Sequence, residues 1–199
     1  MQFLQEAFSG YGFVILAPGE APQVAETSFA DSWHEKYFSE GLHEYDPVFD
    51  FLRGSGGRSG AKLLSESEMG SPLYEEAEVF GADSNFVSTS SFGGNTLLLG
   101  GVNHDLDERA LPNLLHSCRA LHRSVLLKRV DSLSDSQIDF MEMSEEGLLD
   151  KQIASTLDVS ISAVAQRKKA ICVKLGIGNF RAALSLYSIR KWSGIVPVG

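Results

Sequence analysis

Residues 150–178, DKQIASTLDVSISAVAQRKKAICVKLGIG, constrain the chain more than any other stretch. Ile153, Ala154 and Leu157 stand at i, i+1 and i+4, which puts three apolar side chains on one helical face. Asp158-Val159-Ser160 breaks that period, and Ser160 is suited to cap a second helix by accepting from one of its unpaired amides. In the second helix Ile161, Val164, Ile171 and Leu175 are expected to face inward, and Gln166, Arg167, Lys169 and Lys174 to line the other face. Gly176 and Gly178 end it. Two short helices with a tight turn between them, the second one basic, read as a helix-turn-helix, a shape that fits the major groove of DNA. The candidate DNA contacts are Ser162, Gln166, Arg167, Lys168, Lys169 and Lys174. Taken alone, Arg167-Lys168-Lys169 would be a solvated helix face; inside a helix-turn-helix, contact with phosphate or base is the better account.

A net charge of −9 over 199 residues runs against a nucleic-acid partner, but the charge is unevenly spread. From residue 131 onward eight Lys/Arg balance eight Asp/Glu, whereas residues 1–130 hold nine basic and eighteen acidic residues and so the whole deficit. The acidic part repels phosphate. The neutral part concentrates its positive charge at Arg167-Lys168-Lys169 and Lys174, a thin electrostatic footprint. Apolar content of 43% supports an ordinary globular core. No run approaches the length of a membrane span, so no membrane partner is expected, and no basic region followed by an apolar stretch marks a secretory signal. Cys118 and Cys172 both fall on apolar helical faces and read as buried free thiols, so a cytoplasmic location is expected.

Upstream, residues 2–9 read as the end of a short helix, 11–17 as a strand closed by Pro18-Gly19, and 23–29 as a second short strand. Trp33 and Tyr37 are four apart and share a face if residues 33–42 are helical. Pro47 opens the next helix, with Asp46 before it as a common N-cap. Residues 54–60, GSGGRSG, read as a flexible loop; they lack the Lys-Ser/Thr ending of a phosphate loop, which argues against nucleotide binding. A helix over 71–80 repeats Leu73, Ala77 and Phe80, with Ser71 as its cap. Strands over 85–92 and 96–102 flank Gly93-Gly94-Asn95, a hairpin signal. A long amphipathic helix over 107–128 carries the stripe Leu111, Leu114, Leu115, Cys118, Leu121 and Val125, a core or dimer contact. This order predicts an α+β chain. An N-terminal α-β-α sandwich with an antiparallel sheet covers residues 1–129, and a small all-α helix-turn-helix domain covers 130–199, with 129–133 as the linker. In the second domain Ser134 and Gln137 form a capping box, and Asn179 caps a last helix ending near Gly194.

Both parts resemble LuxR-type transcription regulators. The C-terminal pattern runs from Leu133-Ser134 through Gly147 and Gln152-Ile153-Ala154 to Val164, Lys174-Leu175-Gly176 and Ala182-Ala183, in order and in spacing. The chain departs from the family at Leu148, where lysine is common, and at Arg167, Ala170, Phe180 and Gln137, where histidine, asparagine, arginine and glutamate are common. In the N-terminal part the family's ligand signature is an aromatic pair four apart with an aspartate nine further on. Trp33, Tyr37 and Asp46 reproduce it. The resemblance implies that residues 1–129 bind an acyl-homoserine lactone or a related small signal and dimerise, and that residues 130–199 bind DNA. It further implies that the Trp33 indole donates to a lactone carbonyl and the Tyr37 phenol to an amide carbonyl, while Asp46 accepts the amide N–H. The family's second tryptophan is missing near Ala61, and Gly100-Gly101 removes side chains from a strand that lines the acyl pocket in the family.

Two functions follow. One is a dimeric transcription regulator of quorum-sensing type, with double-stranded DNA and a second copy of itself as partners and no cofactor beyond the signal. The other is a ligand-independent interaction module that heterodimerises with a related LuxR-type regulator and inhibits it; the missing pocket residues and the acidic first part favour it. Without the resemblance, Trp33 and Tyr37 would read as core aromatics packed on the sheet. His34, His43, His104, His116 and His122 lack metal-ligand spacing, so no metal site is expected. No Ser-His-Asp order, carboxylate pair or cofactor loop points to an enzyme.

Overall fold

The two glycines at 93 and 94 set the geometry of the sheet. In the computed structural model, which describes residues 2–193, their φ angles are 57° and 86°. Two successive left-handed residues make a two-residue hairpin turn whose twist matches that of the strands it joins. The strands are β1 (Gly10–Leu16), β2 (Gln23–Thr27), β3 (Gly60–Leu63), β4 (Phe86–Phe92) and β5 (Asn95–Val102). They form one antiparallel sheet in the order β2-β1-β5-β4-β3. Val14 pairs with Leu98, Phe13 with Leu99 and Gly12 with Gly100. Because side chains alternate along a strand, Gly12, Val14, Leu98 and Gly100 share one face, and Phe13, Ile15, Leu97 and Leu99 share the other.

The helices are α1 (Gln2–Ala7), α2 (Asp31–Ser39), α3 (Pro47–Ser55), α4 (Glu66–Met69), α5 (Pro72–Val79), α6 (Leu111–Val130), α7 (Asp135–Glu145), α8 (Asp150–Thr156), α9 (Ile161–Leu175) and α10 (Phe180–Trp192). The chain divides into two compact units. The first takes residues up to Leu16, Glu20–Ser91 and Thr96–Ala120; the second takes Ala17–Gly19, Phe92–Asn95 and the chain from Leu121 onward.

In the first unit α3 and α5 cover the glycine-bearing face: Val48, Phe49 and Tyr74 pack with Val14, Val87 and Leu98. On the opposite face the Phe8 ring lies 4.7 Å from that of Phe86. Cys118 of α6 lies beside Ser88 of β4 there, and burial pushes its thiol up to about 11. Gly101 is a glycine for want of room. A Cβ there would sit 2.6 Å from the Gly10 carbonyl oxygen and 2.8 Å from the Phe86 ring.

The second unit is built on Phe140, Met141, Ile153, Val164, Ile171, Leu175, Ala183 and Leu186, all buried in one cluster. Ser160 accepts from the Ala163 amide at 3.1 Å and starts α9, and Asn179 accepts from the Ala182 amide at 2.9 Å and starts α10. Between α8 and α9 the chain turns through Asp158, whose φ is 50°. At the start of α7 the Ser134 amide donates to Gln137 Oε1 at 3.0 Å. The expected end of α10 near Gly194 lies outside the described residues; the described helix stops at Trp192.

Several local expectations are corrected. Residues 54–60 are not wholly loop, since α3 runs to Ser55 and Gly60 begins β3. That strand is four residues long and contains Gly and Lys, which carry little strand signal. Ser71 does not cap α5; its Oγ is buried without a hydrogen-bond partner. Ile161 is 51% exposed because it occupies the first position of α9, ahead of the inward-facing turns. Cys172 is half-buried. On α6 the buried positions are Leu114, Cys118, His122, Leu126 and Val130, so the buried line runs through a histidine and leaves Leu121 and Val125 half-buried.

His122 is placed by polar partners of the second unit. Its Nε2 lies 2.9 Å from Asn95 Oδ1, and Asn95 Nδ2 donates to the Gly176 carbonyl at 2.8 Å. Burial first, and the Arg129 charge second, hold the imidazole down at about 4. The folded value lies below the ordinary histidine value near 6.5, so folding favours the neutral ring. Its stabilisation is complete above that pH and is lost as pH falls from about 6.5 to about 4, a total on the order of 3 kcal/mol. Thermal melts between pH 7 and pH 4.5 should show this loss, and His122→Gln should flatten it. Gly101→Ala should lower stability by about 1–3 kcal/mol, read from urea unfolding, because backbone and ring must both move.

Candidate functional site

Trp33, Tyr37 and Asp46 come together around one cavity of the first unit, of about 90 Å³. Trp33 and Tyr37 are one turn apart on α2 and stack side by side, with ring centres 5.6 Å apart. The Phe80 ring also packs on Trp33, with ring centres 5.3 Å apart. Asp46 stands at the N-terminus of α3, where its Oδ1 accepts from the Val48 amide at 2.8 Å. It is thus both a helix cap and a wall of the cavity.

The polar centre of the cavity is a three-residue cluster. The Tyr37 phenol donates to Asp46 Oδ2, and the Tyr74 phenol donates to Oδ1 at 3.4 Å. Burial raises the carboxyl above its ordinary value, against the pull of those hydrogen bonds. The same burial, with Asp46 next to them, raises both phenols. A carboxylate offers about four acceptor positions, and three are taken here, so one remains for a ligand donor. Trp33 lines the same cavity, its ring packed against those of Tyr37 and Phe80. Phe29, Phe38, Phe49, Val48 and Leu98 are among the apolar side chains of the remaining wall.

Sequence reasoning missed Tyr74, which stands three residues before Ala77 on the same helix face; that spacing was the available signal. It also missed the bare floor. Gly12 and Gly100 are direct cross-strand partners, and both line the cavity. A Cβ at Gly12 would meet the Phe29 ring at 3.5 Å and one at Gly100 would meet Val48 at 3.3 Å, so these two side chains lie over the strands. Of the pair Gly100-Gly101, only the first opens space here. Among the described residues no group of three or more His, Cys, Asp or Glu could hold a metal. No helix among them is long and apolar enough to cross a membrane.

The second set of named residues lies on α9, and the structure separates its members. Ser162, Gln166, Arg167 and Lys169 are exposed. Lys168 is turned back onto the protein, 2.5 Å from Asp150 Oδ1 on α8 and 4.9 Å from the centre of the Phe180 ring. Lys174 donates to Gln137 Oε1 at 3.1 Å and remains exposed. No described residue forms an ion pair with Arg167 or Lys169.

No protein-family model matches the chain, and no curated protein matches it. It is similar to solved structures. SdiA in complex with octanoyl-rac-glycerol is 18% identical, with 94% of this chain and 83% of that one covered, at a TM-score of 0.48. The VqsR ligand-binding domain of Pseudomonas aeruginosa is 17% identical over 60% of this chain and 76% of that one, at 0.45. An N-acylhomoserine lactone-dependent LuxR-family transcription factor of Burkholderia cenocepacia is 17% identical over 59% and 72%, at 0.42. The last of these is described as a LuxR-family protein. Likeness at that level decides nothing about ligand or partner.

Removing the Tyr37 hydroxyl leaves Asp46 with an unfilled acceptor in a buried place. Tyr37→Phe should therefore cost about 1–3 kcal/mol of stability in urea unfolding, well above what an exposed Tyr45→Phe costs.

Proposed function

We propose that the chain is a dimeric, DNA-binding transcriptional regulator of quorum-sensing type, which takes an acyl-homoserine lactone or a related small signal in the cavity of its first unit. The observation that carries this reading is the convergence of Trp33, Tyr37 and Asp46 on one largely apolar cavity. In this reading residues 1–129 sense the signal and dimerise, and residues 130–199 bind DNA. In this reading the Trp33 indole donates to a carbonyl of the signal, and the remaining acceptor position of Asp46 receives an N–H. Buried polar atoms on both sides are then paired. Ligand binding orders the first unit and shifts the population toward the form that grips DNA. Exposed Arg167 supplies a phosphate contact beside the base-reading face.

N-octanoyl-homoserine lactone is the probe. At a hundred times its Kd it should stabilise the chain by about 2.7 kcal/mol, which raises Tm by about 5–10 °C. Trp33→Phe should reduce that rise. No shift with any acyl-homoserine lactone sinks the signal-binding half. Arg167→Ala should weaken DNA binding about equally for all sequences and lower the slope of log affinity against log salt by about 1.

The second reading is a ligand-independent module that pairs with a related LuxR-type regulator and inhibits it. It is favoured by the three contacts that Tyr37, Tyr74 and Val48 already make to Asp46, and by the withdrawal of Lys168 onto Asp150. Mixed dimers in a pull-down with no DNA shift at low salt support it; sequence-specific DNA binding by the chain alone excludes it.

A further inference from the structure

Opposite the buried line of α9 stand Ser162, Gln166, Lys169 and Val173, spaced i, i+4, i+7 and i+11, and all four are exposed. At 3.6 residues per turn this spacing makes one row down the helix. The row is not uniformly polar. Gln166 offers a donor and an acceptor side by side, Lys169 offers donors alone, and Val173 is apolar and 62% exposed. The Ser162 hydroxyl is already engaged, 2.8 Å from the capping hydroxyl of Ser160. Lys168 lies off the row and is held by Asp150 and the Phe180 ring.

We infer that Gln166 and Lys169 read neighbouring base pairs in the major groove, an adenine and a guanine respectively, with Val173 against a thymine methyl, and that Lys168 touches neither base nor phosphate. This rests on the reading of the second unit as DNA-binding. The chemistry is complementary at each position. A glutamine carboxamide matches the N6 donor and N7 acceptor of adenine, an ammonium matches the O6 and N7 acceptors of guanine, and a thymine methyl wants an apolar neighbour. The spacing agrees as well. Three residues advance about 4.5 Å along a helix, between one and two steps of the about 3.4 Å that separates successive bases of one strand.

Selection of double-stranded DNA from a random pool by the full-length chain at low salt, followed by affinity measurement on the selected site, tests this. The expected site carries adenine next to guanine. Gln166→Ala should lose about 5- to 100-fold in affinity for it and should lose the preference at the adenine alone, and Lys169→Met should do the same at the guanine. Lys168→Met should select the same site. Gln166 and Lys169 are exposed, so the variants keep their fold, which a melting curve checks. If the parent chain selects a site and Gln166→Ala keeps its adenine preference, the inference is overturned while DNA binding stands. The same holds if Lys168→Met selects a different site. If the parent chain selects no site, both fall.

Discussion

The register between β1 and β5 governs what the first unit can hold. It sets Gly12 against Gly100 and Val14 against Leu98, so a bare strip and an apolar strip share one face. A slip of β1 by one residue would turn Phe13 into that face in place of Gly12 and fill the space with a side chain. The tight approach of Gly101 to Gly10 leaves no room for a side chain along this pairing. The cavity is thus a property of the strand pairing before it is a property of any ligand-facing residue.

Within that space the decisive group is Asp46. A buried carboxylate without partners would be costly, and here a backbone amide and two phenols supply them. The same three contacts hold α3, α2 and α5 together around one charge. Local structure, packing and site chemistry therefore meet in a single residue, and the helix-capping and ligand-facing readings of Asp46 are compatible.

The larger features were legible in the sequence because each rests on a local rule. Ser160 and Asn179 cap helices as their side chains allow, Gly93-Gly94 makes the turn, and the periodic apolar residues of 150–178 are largely buried. What escaped the sequence depends on distant partners. β3 exists because β4 offers an edge, not because GAKL favours a strand. His122 is buried because Asn95 meets its ring, which nothing within a turn of it on α6 announces. The inward expectation for Ile161 failed because apolar character alone does not say where a helix meets its core. At the cavity, Trp33, Tyr37 and Asp46 were expected from the resemblance to a family signature and do line it, whereas Tyr74 required knowing that α5 crosses the same cavity.

The turn at Asp158 has a consequence for how the sequence can drift. A left-handed backbone at a residue with a side chain is tolerated best by Asn and Asp, and without strain by Gly. Most other residues there strain the backbone by roughly 1–2 kcal/mol, and β-branched ones more. The link between α8 and α9 therefore acts as a narrow filter: whatever the helices on either side present at their surfaces, the joint between them admits a short list.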